Sequence, residues 1–302
     1  MQEERGRPLP VAPFCMDMNL VRLQLSLTAW TAEALLPLVS GQGSSFESAL
    51  LRTCCRGSWS DCAECLQRDD CQAYMLLART LSPDPDLVKR HQKPGLPYLF
   101  SLPAASAPSV CLTLLGPSID ALALFINTLS ILTGGNVRSH VYAFDHQAQL
   151  LQLQFQADGQ CSNLPLLSLA ELYEQQRSQF VGCRSVEVIF QTPLRLRHHG
   201  RELQHLQPVV LIRGLLRRLS SLSAYYGTAG NTDYFSSLAA RADQVRSVEH
   251  HPAEVHQRGI CGRYRLQGPF EEFGPYLALG SLLNLGKGAA YGMGRFTVEP
   301  IE

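Results

Sequence analysis

Four glycines, Gly286, Gly288, Gly292 and Gly294, fall within nine residues, with Lys287 inside the run and Arg295 directly after it. Glycines packed this densely let main chain approach a ligand that side chains would block, and they offer amide N–H groups to anionic oxygen. With two cations on the same stretch, phosphate is the chemistry it suits, and nucleic acid is the natural source. Two familiar nucleotide motifs are excluded. A Walker loop needs four residues between its first glycine and the GK pair, then Ser or Thr; here five residues separate Gly280 from Gly286, and Gly288 follows Lys287. A dinucleotide fingerprint lies between a strand and a helix, whereas this run is predicted to lead from a helix into a strand. The plain alternative is a glycine-rich connection that packs tightly on a sheet.

Other side chains could join that chemistry. Arg213 and Arg217 share a helical face by i, i+4 spacing, with Arg218 beside them, and would grip a phosphate backbone or simply be solvated. His250 and His251, followed by His256 in HHPAEVHQRG, suit proton transfer because an unshifted imidazole is half neutral near pH 6.5. The same segment also reads as a polar, solvated turn. His198, His199 and His205 flank another predicted loop, and Ser44, Ser45 and Tyr291 are minor candidates, Ser44 doubling as a helix cap.

Ten cysteines form a separate theme, and CCRGSWSDCAECLQRDDC offers Cys54 or Cys55, then Cys62, Cys65 and Cys71. Four thiolates in so short a segment suit a structural zinc ion at about 2.3 Å each. A reduced thiol cluster is the alternative, and an iron–sulfur site is disfavoured because the spacing matches no standard run. Redox work by Cys62 and Cys65 lacks a thioredoxin-like context.

The elements that must position these groups read as two similar halves. Leu20 to Leu27 alternates as a half-buried strand, and Ser44 with Glu47 forms a capping box for a helix over 45–52. Strands are expected near 98–102 and 110–115, then a helix from Ser118 ended by Gly134 and Gly135, then a strand near 137–144 with a hairpin extension. After a linker at 157–182 with a short helix, the order recurs. A strand at 186–190 precedes a helix over 209–226, strands near 244–249 and 260–266, a helix over 270–283, the glycine run and a last strand. Both halves read βαββαβ, so the expected fold is α+β, a tandem of ferredoxin-like domains at 1–156 and 183–302, with a Cys-rich insertion at 54–71 in the first.

Composition bounds the rest. At 302 residues, 45% hydrophobic and 17% charged with zero formal net charge, the chain is long enough for two cores, and no partner follows from overall charge. Residues 1–180 carry 12 Lys+Arg against 16 Asp+Glu, and 181–302 carry 14 against 10. Only Lys89, Lys93 and Lys287 are lysines, and arginine is the better fork for phosphate. The most apolar stretch, 119–132, falls short of the roughly 20 residues of a membrane span. The N-terminus lacks a secretory core, so a cytoplasmic, reducing location without membrane is expected.

The segment LALGSLLNLGKGAAYGMGRFTV resembles the C-terminal signature of the CRISPR repeat-processing endoribonucleases, a branch of the RAMP superfamily. VEVIFQTPLRLRHHGRELQHLQPVVLIRGLLRRLSSLSAYYG is similar to the family's TPLRL strand and the helix with paired arginines after it, and GPFEEFGPYLALG to the helix before the loop. The resemblance covers about 184–298. It implies tandem ferredoxin-like domains and metal-independent cleavage of precursor CRISPR RNA within each repeat. There the ribose 2′-hydroxyl attacks phosphorus, leaving a 2′,3′-cyclic phosphate and a 5′-hydroxyl. Lys287 is then the phosphate stabiliser, with Gly286, Gly288, Gly292, Gly294, Arg295, Arg213, Arg217 and Arg218 on RNA. Departures matter. The family's usual histidine near the first helix is absent, no histidine preceding His91, and Asn284 stands where many members have another. His250 and His251 become the replacement bases. The same gap supports an alternative, a non-catalytic RNA-binding subunit of a CRISPR effector complex bound to crRNA and other subunits. A zinc-stabilised scaffold with no RNA role is a third reading.

Overall fold

The computed structural model describes residues 16–26, 39, 44–55, 62, 64–101, 109–135, 137–156, 159–228, 233–253 and 259–301. In the first unit, strand β1 (Asn19–Ser26) leads to helix α1 (Ser45–Cys54), then short helices α2 (Gln72–Leu77) and α3 (Pro85–Arg90), and a hairpin of β2 (Tyr98–Ser101) and β3 (Ser109–Leu115). Helix α4 (Leu122–Thr133) and strands β4 (Val141–Phe144) and β5 (Leu150–Gln152) complete it. The strands lie in the order β2-β3-β1-β4-β5, antiparallel throughout. The alternation of β1 does what its period requires. Val21, Leu23 and Leu25 enter the core with Phe46 and Leu50 of α1 and Phe125 and Leu129 of α4, while Arg22 and Gln24 face the other way. The Ser44 cap forms, Glu47 N donating to Ser44 Oγ at 3.2 Å, and Gly134 ends α4 at φ 67°.

Among the described residues one stretch, Gly116–Thr133, is long and apolar enough to cross a membrane. It is α4 with the turn before it, and Leu122, Leu124, Phe125, Ile126 and Leu129 are packed into the core of the first unit.

The second unit repeats the plan. After β6 (Leu167–Ser168) and α5 (Leu169–Arg177) come β7 (Ser185–Leu194), the small hairpin β8 (Arg197–His198) and β9 (Arg201–Glu202), α6 (Pro208–Tyr226) and α7 (Asp233–Ala240). Strands β10 (Arg246–Pro252) and β11 (Ile260–Gln267), helix α8 (Phe270–Leu283) and β12 (Phe296–Ile301) follow. The order β10-β11-β7-β12 matches that of β2-β3-β1-β4, so the chain is a tandem of ferredoxin-like units.

Three places differ from the sequence expectation, each for a physical reason. Segment 157–182 is more than a linker: Leu167 pairs with Leu20 of β1, and α5 packs on α8 through Tyr173 and Tyr276, rings 4.9 Å apart. Its apolar residues Leu169, Leu172 and Tyr173 join the second core, which also takes in Met16, Met18, Leu20 and Leu115. Strand β10 extends through Pro252, so His250 and His251 are strand residues rather than loop residues. All seven residues of β10 are exposed, which leaves no buried face to write an alternation. Within 54–71, Cys54 ends α1 with Sγ donating to Leu50 O at 3.1 Å, Cys65 is exposed and Cys71 stands at the N-cap of α2. Among the described residues no group of three or more His, Cys, Asp or Glu side chains comes together as a metal would need. Residues 56–61 and 63 of that insertion, and His256, lie outside the described residues.

Candidate functional site

The two units face each other across a cleft of about 930 Å³. One wall is the stretch from α3 toward β2, carrying Lys89, Arg90, His91 and Lys93, with Arg79 before it; the other is α6 with Arg213, Arg217 and Arg218, plus Arg197 of β8 and the glycine run with Lys287. Nine cationic side chains and no aspartate or glutamate appear among the described residues of the lining. Such a surface concentrates positive potential and selects a polyanion.

Three aromatic and hydroxyl contacts fasten the walls. Tyr225 Oη donates to His91 O at 3.0 Å, Tyr226 Oη donates to Gly95 O at 2.5 Å, and His91 Nε2 meets Ser220 Oγ at 3.1 Å. His91 is buried and its Nδ1 has no partner among the described residues. Burial first, then the charges of Arg217 and Arg90, pull its pKa below the ordinary value, which favours the neutral ring in the folded protein. Near pH 6.5 the unfolded chain therefore holds more proton at this residue than the folded chain does. Its stability contribution is therefore complete above that pH and is lost as pH falls toward the folded value. Thermal unfolding midpoints between pH 5 and 8 should fall on the acid side in the native protein and less steeply in His91→Gln; equal slopes would refute this assignment.

The glycine run is a self-bonded knot. Leu285 N donates to Gly294 O, Gly294 N to Pro193 O, Lys287 N to Arg195 O, and both Tyr291 N and Met293 N to Gly288 O. Asn284, buried with φ 53°, staples it from inside by donating Nδ2 to Ala289 O at 3.0 Å. Thr192 Oγ1 donates to Gly292 O at 2.7 Å and accepts from Arg295 N at 2.8 Å. Two of the four glycines lie outside the cleft lining. Gly292 and Gly294 are buried with their amides committed to Ala289 O and Pro193 O, and their positive φ serves tight turns. Gly286 and Gly288 do line the cleft, and between them Lys287 is exposed, its side chain without a bonded partner among the described residues.

The remaining candidates divide clearly. Arg213 and Arg217 are exposed on the cleft face of α6, Arg213 donating Nε to Ala239 O at 3.1 Å. Arg218 lines the cleft but is partly buried, and its Nε and Nη2 donate to Leu283 O at 3.0 and 2.7 Å, closing the C-terminus of α8 where the knot begins. Desolvation brings its pKa down to about 10. Arg295 is absent from the cleft lining; its charged neighbours are Arg22 and Cys111, and burial lowers its pKa. His250 and His251 also lie outside the lining, His250 stacking on Tyr264 at 6.5 Å and His251 meeting Glu249 at 2.9 Å. His198 of β8 lines the cleft, and His199 packs against it at 3.9 Å.

Sequence reasoning passes over the 89–93 wall, although KRHQK places three cations and a histidine in five residues directly ahead of a strand. It also misses Glu47 and Arg79, which surround Tyr291. Tyr291 Oη donates to Glu47 Oε1 at 2.8 Å, and the backbone beside Tyr291 is pinned to the first unit by Phe100 N donating to Ala290 O at 2.8 Å.

Two ferredoxin-like units thus meet at a cationic cleft with no carboxylate among its described lining residues, a surface suited to a polyanion. The sequence model of the CRISPR-associated endoribonuclease Cas6 matches residues 188–296, and a model described as an N-terminal domain matches 18–165. Over residues 188–296 the chain thus carries the sequence signature of the Cas6 endoribonucleases. Among solved structures it is similar to a Cas6 product complex at 17% identity, covering 93% of this chain and 99% of that one with a TM-score of 0.51. It is also similar to a partial Cas6-RT-Cas1–Cas2 complex at 12% identity and a TM-score of 0.53, covering 97% of this chain and 47% of the larger one. No curated protein matches.

Proposed function

We propose that this chain cuts precursor CRISPR RNA within its repeats, without a metal, and retains the mature crRNA in the cytoplasm. The observation that carries the reading is the cleft lined by nine cations and no carboxylate among the described residues, with Lys287 exposed between Gly286 and Gly288. Arg213, Arg217 and the 89–93 wall hold successive phosphates and fix the RNA in line, which lowers the entropic part of the barrier. The ribose 2′-hydroxyl attacks the adjacent phosphorus, the 5′-oxygen departs, and Lys287 stabilises the charge that grows on the non-bridging oxygens. Relatives titled as a Cas6 product complex and a partial Cas6-RT-Cas1–Cas2 complex support repeat RNA and other CRISPR proteins as partners.

The exposed positions of His250 and His251 take them out of this reading. The absence of either from the cleft lining favours, as second reading, a subunit that binds repeat RNA without cutting it. Incubation of cognate repeat RNA with the protein in EDTA separates the two. The endoribonuclease gives a 2′,3′-cyclic phosphate end and a 5′-hydroxyl; binding with no cut across several repeats supports the subunit. In both cases log K falls with log salt at about −0.7 per phosphate contact, and a flat salt dependence would refute both.

A further inference from the structure

We propose that Tyr291 and Glu47 form the proton relay that takes the 2′-hydroxyl proton of the substrate ribose, a deepening that rests on the endoribonuclease reading above. Tyr291 lines the cleft from the glycine knot, and its side chain reaches across to the first unit. Its Oη donates to Glu47 Oε1 at 2.8 Å, and Glu47 is only 8% exposed in the first turn of α1. The phenol proton therefore already lies on the path to a carboxylate, while its oxygen also meets the Arg79 guanidinium. Burial first, then the hydrogen bond to Glu47, push the Tyr291 pKa up to about 12, so the group is a neutral phenol at working pH. Arg79, at φ 50° a strained non-glycine residue, stands beside this pair and lines the same cleft.

The step balances. The O2′–H bond breaks as its proton passes to Tyr291 Oη, the Tyr291 proton passes to Glu47 Oε1, and O2′ bonds to phosphorus. The P–O5′ bond breaks with its electron pair on O5′, which takes a proton from the Lys287 ammonium; water then restores Lys287 and deprotonates Glu47. Tyr291 stays neutral, so no phenolate forms beside the carboxylate. His91 does not compete, because its Nε2 is engaged by Ser220 and its Nδ1 is enclosed. His198 is the other imidazole in the lining.

The experiment uses the full chain and cognate repeat RNA in EDTA, reading single-turnover cleavage and RNA affinity separately. Tyr291→Phe and Glu47→Gln are each expected to slow cleavage on the order of 100-fold while affinity stays within about threefold. Gln keeps an acceptor for the Tyr291 hydroxyl and so preserves the packing, but it cannot take a proton; a merely structural role for Glu47 would survive that change. Native-like cleavage in either variant overturns the relay and leaves the function standing. So does cleavage that persists in Tyr291→Phe and disappears in His198→Ala. A native protein that binds repeat RNA and never cuts it overturns both proposals.

Discussion

Lys287→Ala should reduce single-turnover cleavage of repeat RNA on the order of 1,000-fold while weakening RNA binding only a few-fold. The asymmetry follows from where the residue sits. Its side chain is exposed in the cleft and bonds to no described residue, so one phosphate contact among many is lost on binding. At the reacting phosphorus, by contrast, negative charge grows only as O2′ attacks, and a fixed cation there contributes more to the transition state than to the ground state. The knot survives the change, because the bond that anchors this position is made by the main chain, Lys287 N to Arg195 O. Thermal stability should therefore match the native protein. Lys287→Arg should recover only part of the rate, since a planar guanidinium on a different stem does not place its charge where the ammonium was. Cleavage by Lys287→Ala within tenfold of native would remove Lys287 from the reaction, and a matching loss of affinity would make it a binding residue only.

How much of this is legible in the sequence depends on whether a residue's role leaves a periodic trace. The β1 alternation and the glycine stop at the end of α4 are readable because a buried face repeats at the period of its element. The fully exposed strand β10 leaves no such trace, so His250 and His251 read as loop residues with a place near the reaction. Lys287 stands out because its glycine neighbours are conspicuous, and all four of those glycines hold a positive φ. A side chain would strike main chain at Gly286 and Gly294 but meets only an ordinary contact at Gly292, and most of the cleft's cations come from side chains on the two walls. The opposite wall escapes notice for a different reason. Lys89 and Tyr225 are far apart in sequence, and only the closure of the segment before β2 against α6 brings residues 89–96 to the glycine run. Arg218 marks the limit of charge as a signal. It sits one residue from Arg217, but a rotation of about 100° around the helix leaves one guanidinium exposed and ties the other to the end of α8.

The glycine knot itself yields the sharpest contrast. Gly294→Ala should unfold or severely destabilise the chain, whereas Gly292→Ala should cost little beyond backbone strain, although both glycines are buried and both have positive φ, 65° and 86°. A side chain in the left-handed region costs roughly 1–2 kcal/mol at either position. The difference is what the new carbon meets. At Gly292 its nearest neighbour is Phe100 O at 3.4 Å, an ordinary contact. At Gly294 it would lie 1.8 Å from Leu285 O and 2.8 Å from Leu285 C, main-chain atoms that cannot swing aside. Relief requires separating the two arms of the knot, which breaks the Leu285 N to Gly294 O and Gly294 N to Pro193 O bonds and leaves buried donors unpaired at about 1–3 kcal/mol each. With the strain included, the expected loss is about 4 kcal/mol or more, a large part of a typical domain's net stability. Lys287 lies two residues beyond Leu285, so whatever Gly294→Ala protein stays folded should also lose cleavage with its cation displaced. Denaturant midpoints for the two variants measure this directly: a Gly294→Ala midpoint equal to that of Gly292→Ala would mean the arms can part without cost, and the knot would no longer explain how the loop is held.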